Sequence, residues 1–230
     1  MTQTVIPVPA PPCLPVRGSS ALFPVRRIYC VGRNFADHAK EMGATVDRGN
    51  PVFFMKPGDA IVAGGGHVPY PPGTRDLHHE VELVVALGRD ADGEVPVADA
   101  AALVFGYGVG LDLTRRDLQA NAKAKGLPWD TAKGFDHSAP ASELVPAAAA
   151  GDLFQATLSL EVNGSVRQQA RLDTMVFSVA EVLHELSRLF ALKAGDLVFM
   201  GTPAGVAALV PGDRFRATVG DLLVLEGDIA

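Results

Sequence analysis

The sequence predicts an α+β chain that is mostly β, folded as a barrel or rolled sandwich with a few short helices. Three observations carry that expectation. Glycine and proline punctuate the chain along its length, as in "KPGDAIVAGGGHVPYPPGT", "LVPGD" and "TVGDLLVLEGD". Gly-Asp followed by an apolar run recurs at 58, 195 and 220, the pattern of a tight turn feeding a strand. Only three stretches carry a helical pattern, and the turn intervals are too irregular for a repeat.

Composition narrows the class. The 230 residues are 48% hydrophobic and 20% charged, which suits a packed core and not a disordered chain. A formal charge of −6, with the basic residues scattered, argues against nucleic acid as a partner. Cys13 and Cys30 have no disulfide or zinc spacing and read as reduced thiols. No apolar run approaches the ~20 residues of a membrane helix, so the expectation is a cytoplasmic protein with no membrane partner.

In chain order, residues 1–24 read as an extended Pro-rich arm and 25–230 as a single catalytic domain. "FADHAKEMG" (35–43) is a short helix closed by glycine. "HHEVELVVALGRD" (78–90) is a buried strand that carries two acids. The glycines of "GYGVG" lack a phosphate-loop pattern and are read as letting a strand bend. "TRRDLQANAKAKG" (114–126) is a polar helix, and "VPAAAAGDLF" (145–154) a linker or short helix. "SVAEVLHELSRLFAL" (178–192) has a Ser178/Glu181 capping box and a stripe of Val182, Leu183, Leu186, Leu189 and Phe190; His184 on it is structural.

Four groups of residues can carry chemistry. Glu80 and Glu82, two apart on a strand, share a face with carboxylates ~7 Å apart. Asp112 follows the strand "VFGYGVGL". Together they would make an oxygen-only set suited to Mg²⁺ or Mn²⁺; alternatively the glutamates face solvent on an edge strand and Asp112 opens a turn. His38 and Glu41, three apart, can form a base dyad or an ordinary surface pair, with Arg33 and Asn34 just before them as donors for a carboxylate. Lys133 is either solvated or balances the acids. In "VFMGTPAGV", Thr202 and its turn can bind an anionic oxygen, or form a plain β-turn.

In their order along the chain these pieces resemble the fumarylacetoacetate hydrolase family. "YCVGRNFADHAKEMG", "PVFFMKPGDAIV", "HHEVELVVALG", "YGVGLDLTRRDLQ", "KGLPWDTAKGFD" and "VFMGTPAGV" carry the resemblance from about residue 25 onward. Its fumarylpyruvate hydrolase and acylpyruvase members are the most similar. The resemblance implies a mixed β-sandwich roll, usually a homodimer, with Mg²⁺ or Mn²⁺ held by Glu80, Glu82 and Asp112. It implies a water-activating His38–Glu41 dyad on a lid, Lys133 beside the metal, Arg33, Arg116 and Gln119 on the substrate, and Thr202 on its carboxylate. The implied reaction is hydrolysis of a 3-acylpyruvate, foremost 3-fumarylpyruvate to fumarate and pyruvate in gentisate breakdown. Oxaloacetate decarboxylation, another 2-oxo acid reaction, or a non-catalytic oxo-acid and metal binder are the alternatives.

Overall fold

The computed structural model describes residues 3–43, 45 and 47–230. Two short strands, β1 (Cys13–Leu14) and β2 (Phe23–Pro24), pair with each other ahead of β3 (Arg27–Gly32), helix α1 (Ala36–Glu41) and β4 (Val52–Pro57). β5 (Ile61–Ala63), β6 (Gly66–Val68) and β7 (Leu77–His79) lead to β8 (Val81–Leu87), then β9 (Val104–Leu111) and β10 (Thr114–Arg115). Helices α2 (Arg116–Lys125) and α3 (Asp130–Lys133) precede β11 (Ala139–Ala141) and β12 (Val145–Pro146). The hairpin β13 (Thr157–Val162) and β14 (Ser165–Arg171), helix α4 (Val179–Leu189), β15 (Leu197–Phe199), β16 (Ala207–Leu209), β17 (Arg214–Val219) and β18 (Leu223–Ile229) complete the chain. The class is the expected one: mostly β, with curled sheets and a few helices.

An eight-stranded mixed sheet in the order β4-β3-β15-β8-β9-β11-β5, with β12 on β9, is the centre of the fold. One face packs on a five-stranded sheet, β14-β13-β17-β18-β6, and on α4; Leu83, Val85 and Leu87 meet Leu158, Leu160, Phe215 and Leu186 in that core. The opposite face has its own smaller core, where Val84, Ala86, Ile28, Cys30 and Phe199 meet Leu14, Phe23 and Val25. β8 is therefore buried at every position, the mark of a strand covered on both faces. The N-terminal arm is less free than its prolines suggest. Residues 3–11 are exposed, but Val25 N–H donates to Pro12 O (2.8 Å), Leu144 N–H donates to Pro15 O (2.8 Å), and Leu14 is fully buried.

Local sequence accounts for the helices. The capping box of α4 forms as expected: Ser178 Oγ accepts from Glu181 N–H while the Glu181 carboxylate accepts from Ser178 N–H. His184 Nδ1 bonds Val95 O at 2.8 Å, a structural role. The helix stops three residues early, however, at Leu189, which is exposed and leaves the stripe, while Phe190 turns inward onto Tyr29. α2 ends at Gly126 in the left-handed conformation, φ 64°. No helix among the described residues is long and apolar enough to cross a membrane.

The glycines of "GYGVG" are needed for close approach more than for bending. A Cβ on Gly106 would lie 2.3 Å from Val145 O, and one on Gly110 would lie 2.7 Å from Phe199 Cε1 and 2.9 Å from Pro140 O. Their absence of side chains lets β11 and β12 pack on β9.

Candidate active site

Five strands present their ends at one end of the large sheet. β3, β15 and β9 finish there, while β4 and β8 begin there. The loops and first residues at this end collect the polar groups that the apolar strands cannot carry in their middles.

The segment read as one strand from 78 is two. β7 pairs with β10 and β16, whereas β8 pairs with β9 and β15, and Glu80 sits in the break between them. At that break Asp112 N–H donates to Glu80 O at 2.8 Å. Glu80 is thereby released from strict strand alternation. It turns with Glu82 and Asp112 toward a common point, one carboxylate oxygen from each lying within 4.8 Å of the others. All three residues are buried, which excludes the solvent-facing alternative.

Burying three acids requires cations. Lys133, 2% exposed, donates from Nζ to Glu80 Oε2 (2.7 Å), Asp112 Oδ2 (2.6 Å) and Thr114 Oγ1 (2.7 Å). Arg116 donates to Glu80 Oε1 and to Gln119 Oε1, so two of the residues expected at the substrate also brace the acid set. Sequence reading missed the third cation. Lys56, 1% exposed at the end of β4, lies 2.8 Å from Asp112 Oδ1 and donates to the main-chain carbonyls of Leu113 and Lys133. Within "FFMKPGD" it looks like a surface lysine entering a turn; its apolar flank is the only signal.

The charges are unevenly shared. Burial works against ionisation of Glu80, but Lys133, Arg116 and His38 outweigh it and hold its carboxyl far below the usual range. Among the described residues, Glu82 has no cation of its own. Burial, then the charges of Asp112 and Glu80, push its pKa well above the usual range, with Lys133 and the Gly201 N–H (2.7 Å to Oε2) opposing. Lys133 is likewise raised, since Asp112 and Glu80 overcome the cost of its burial.

A divalent cation fits this set. The donors are all carboxylate oxygens, as hard cations prefer. Asp112 Oδ1 is buried without a hydrogen-bond partner, because Lys56 Nζ is near it but out of alignment. Glu82 needs a positive neighbour in order to ionise. One oxygen of each acid lies within 4.8 Å of the others, near enough for a single ion to reach all three.

The remaining candidates surround the acids. His38, buried on α1, bonds Glu41 Oε2 through Nδ1 at 3.2 Å, and Gly205 N–H holds the Glu41 carboxylate at 3.1 and 3.2 Å. With Nδ1–H donated to Glu41, Nε2 carries the free lone pair. Thr202, 3% exposed, accepts from Gln168 Nε2 at 2.8 Å, which leaves its hydroxyl hydrogen free for an acceptor in the cleft. Gln168 is itself held by His79 and Val81 N–H, a support that a glutamine on a hairpin strand does not advertise. His38, Arg33, Arg116, Gln119, Lys133, Thr202 and the three acids line one cleft together with Phe54, Trp129 and Lys123.

Asn34 is the exception. Fully buried, it donates to Phe177 O (3.1 Å) and Met200 O (2.7 Å) and accepts from Phe177 N–H (2.7 Å). Its amide is spent on the main chain, so the expectation that it holds a substrate carboxylate is replaced by a bracing role.

Residues 27–230 match the model of the fumarylacetoacetate (FAA) hydrolase C-terminal family. The chain belongs to the fumarylacetoacetate hydrolase family. Its fold superposes on the crystal structure of fumarylpyruvate hydrolase from Pseudomonas aeruginosa in complex with Mn²⁺ and pyruvate, with a TM-score of 0.96, 44% identity and 99% of each chain covered. Oxaloacetate tautomerase FAHD1 of Rattus norvegicus, a mitochondrial protein, is 44% identical over 194 residues, 84% of this chain and 87% of its own. Oxaloacetate tautomerase YcgM of Escherichia coli is 42% identical over 206 residues, 88% and 92% of the two chains.

Proposed function

We propose that the protein is a metal-dependent hydrolase that cleaves the C–C bond of a 3-acylpyruvate, foremost 3-fumarylpyruvate to fumarate and pyruvate. One observation carries the reading: a buried three-acid set and the histidine of a histidine–glutamate dyad line the same cleft. The likeness to a fumarylpyruvate hydrolase holding Mn²⁺ and pyruvate supports it. Glu80, Glu82 and Asp112 would hold Mg²⁺ or Mn²⁺. Bound there, the ion supplies a Lewis acid for the 2-oxo acid head and for the negative charge that develops on it.

The chain's own residues do the rest. Thr202 donates its hydroxyl hydrogen to the head carboxylate. Nε2 of His38 takes a proton from water, whose oxygen forms a bond to the distal carbonyl carbon. The bond between that carbon and C3 breaks, and its electron pair spreads onto the C2 oxygen. Lys133 lies beside the acids, where its ammonium opposes that charge. A proton returned to C3 completes pyruvate, and the acyl half leaves as a carboxylate.

The kinship with oxaloacetate tautomerases favours a second reading, in which His38 moves a proton between C3 and the enol oxygen and no bond to water forms. Decarboxylation of oxaloacetate passes through the same enolate. The proposal extends to a cytoplasmic homodimer serving gentisate breakdown, with a small 2-oxo acid as its ligand. Separate incubations with Mg²⁺ and either 3-fumarylpyruvate or oxaloacetate, followed by the enol absorbance and by product analysis, decide between these. Equal yields of pyruvate and fumarate, stopped by EDTA, support hydrolysis. Interconversion of oxaloacetate tautomers with no cleavage of fumarylpyruvate supports the second reading instead.

A further inference from the structure

β14 is an exposed edge strand that fully buries one residue, and that residue is a glutamine. Gln168 is 1% exposed, while its neighbours Arg167 and Gln169 lie open to solvent. A buried primary amide carries a desolvation cost that an apolar side chain does not, and its hydrogen bonds only offset that cost. What it is bonded to therefore points to its use.

All four hydrogen-bonding positions of the amide are filled. Oε1 accepts from His79 Nδ1 at 2.8 Å and from Val81 N–H at 3.1 Å. Nε2 donates to Pro203 O at 2.7 Å and to Thr202 Oγ1 at 2.8 Å. Two of these partners fix which end is which. A main-chain N–H can only donate and a proline carbonyl can only accept, so the oxygen faces Val81 and the nitrogen faces Pro203. The second N–H of Nε2 is then forced onto Thr202. Thr202 receives it on a lone pair, and among the described residues no acceptor takes its own hydroxyl hydrogen. That hydrogen is left for the cleft that Thr202 lines.

The same amide joins two parts of the site. His79 and Val81 flank Glu80 at the break between β7 and β8, whereas Thr202 and Pro203 belong to the loop after β15. That loop is pressed on β14: Gly205 has φ 100°, and a Cβ there would strike Arg167 O. It also meets Glu82 through Gly201 N–H and Glu41 through Gly205 N–H. A turn held at so many points leaves Thr202 mainly the rotation of its hydroxyl, and Gln168 removes that.

We propose that Gln168 is a positioning residue: it holds the Thr202 hydroxyl as a donor to the cleft, so that this end of the site takes a hydrogen-bond acceptor and turns away a donor. The inference rests on the 2-oxo acid reading above and adds the reason why the head is bound ionised. A carboxylate offers acceptors at both oxygens, whereas a protonated acid or a primary amide can turn a donor toward Thr202. Gln168 touches no substrate and acts through Thr202.

Oxalate, a carboxylate head without an acyl tail, is the probe. It is titrated calorimetrically into protein saturated with Mn²⁺, so that changes in metal affinity do not enter. Thr202→Val is expected to weaken oxalate about tenfold, the size of one hydrogen bond to a charged group. Gln168→Met is expected to weaken it about three- to tenfold when Thr202 is present, but less than about twofold in the Thr202→Val background, because the two positions are coupled. The same loss in both backgrounds, or no loss in either, overturns the role of Gln168 alone. Should Gln168→Met not fold, Gln168→Glu keeps the shape and repeats the cycle. Its added charge weakens oxalate in both backgrounds, and the Thr202 hydroxyl, drawn toward the new carboxylate, adds a further loss only where Thr202 is present. Unfolding of both variants makes Gln168 a residue of the fold and overturns its role as well. Failure of oxalate to bind the unaltered, Mn²⁺-loaded protein overturns the 2-oxo acid reading, and the inference with it.

Discussion

Glu82 occupies a position where a carboxylate is least stable. It is 2% exposed, faces two other acids, and has one main-chain N–H as its donor. A side chain kept there against its own ionisation serves a ligand better than it serves the fold. Glu82→Gln is therefore expected to abolish metal-dependent turnover while the melting temperature in EDTA stays level or rises. The amide can still accept from Gly201 N–H, and the repulsion from Asp112 and Glu80 disappears. A fall of many degrees, measured by differential scanning fluorimetry, would make Glu82 a structural residue instead. His38 carries the opposite expectation. His38→Ala leaves Mn²⁺ affinity unchanged and lowers kcat by roughly 10²–10⁴, the range of a lost general base. Unaltered turnover in that variant would refute the dyad.

At the scale of elements, the loop after β15 decides whether the acids meet. Gly201 has φ 91°, and a Cβ there would lie 2.7 Å from Asn34 Cβ and 2.9 Å from Val31 O. Asn34 fastens the same loop to the segment before α4. Gly201→Ala is expected to cost roughly 1–3 kcal/mol of stability and to weaken metal binding by displacing the N–H that positions Glu82. Chemical denaturation and Mn²⁺ titration of one sample check both. Sequence resolved the elements unequally, for physical reasons. The capping box and Gly126 were legible because their signals are local. The strand break at Glu80 was not, because "HHEVELVVAL" alternates plausibly throughout and the change of sheet depends on partners from β9, β10, β15 and β16. Asn34 was misread for a related reason: its partners, Phe177 and Met200, are remote in sequence, and nothing beside it shows that its amide is occupied.

For the whole molecule, a sheet covered on both faces leaves its ends as the places where charge can gather. That explains why the acids, with Lys133 to balance them, were legible while the counter-ion roles of Lys56 and Arg116 were not. Carboxylates inside an apolar strand stand out in any reading, whereas Lys56 and Arg116 are ordinary in their local sequence and gain meaning only when β4 and α2 close over the same point. The shared charge has a consequence for pH. In the ion-free protein the Glu82 carboxyl titrates well above its ordinary value of 4.5, so below that raised value it holds a proton that a dication must expel. Metal affinity is thus expected to rise with pH, by up to about tenfold per unit, and to weaken as pH falls through this window. Titrations in two buffers of different ionisation enthalpy should show about one proton released per ion; no release would place Glu82 outside the coordination shell.

The convergence of Glu80, Glu82 and Asp112 on one cation is the centre of the account, and crystals soaked in Mn²⁺ and oxalate test it most directly. The account predicts a single strong anomalous peak about 2.2 Å from one oxygen of each of the three carboxylates, with oxalate completing the shell and Thr202 Oγ1 within hydrogen-bond reach of it. Ordered acids with no peak between them, or a peak that leaves Glu82 bonded only to Gly201, would contradict it.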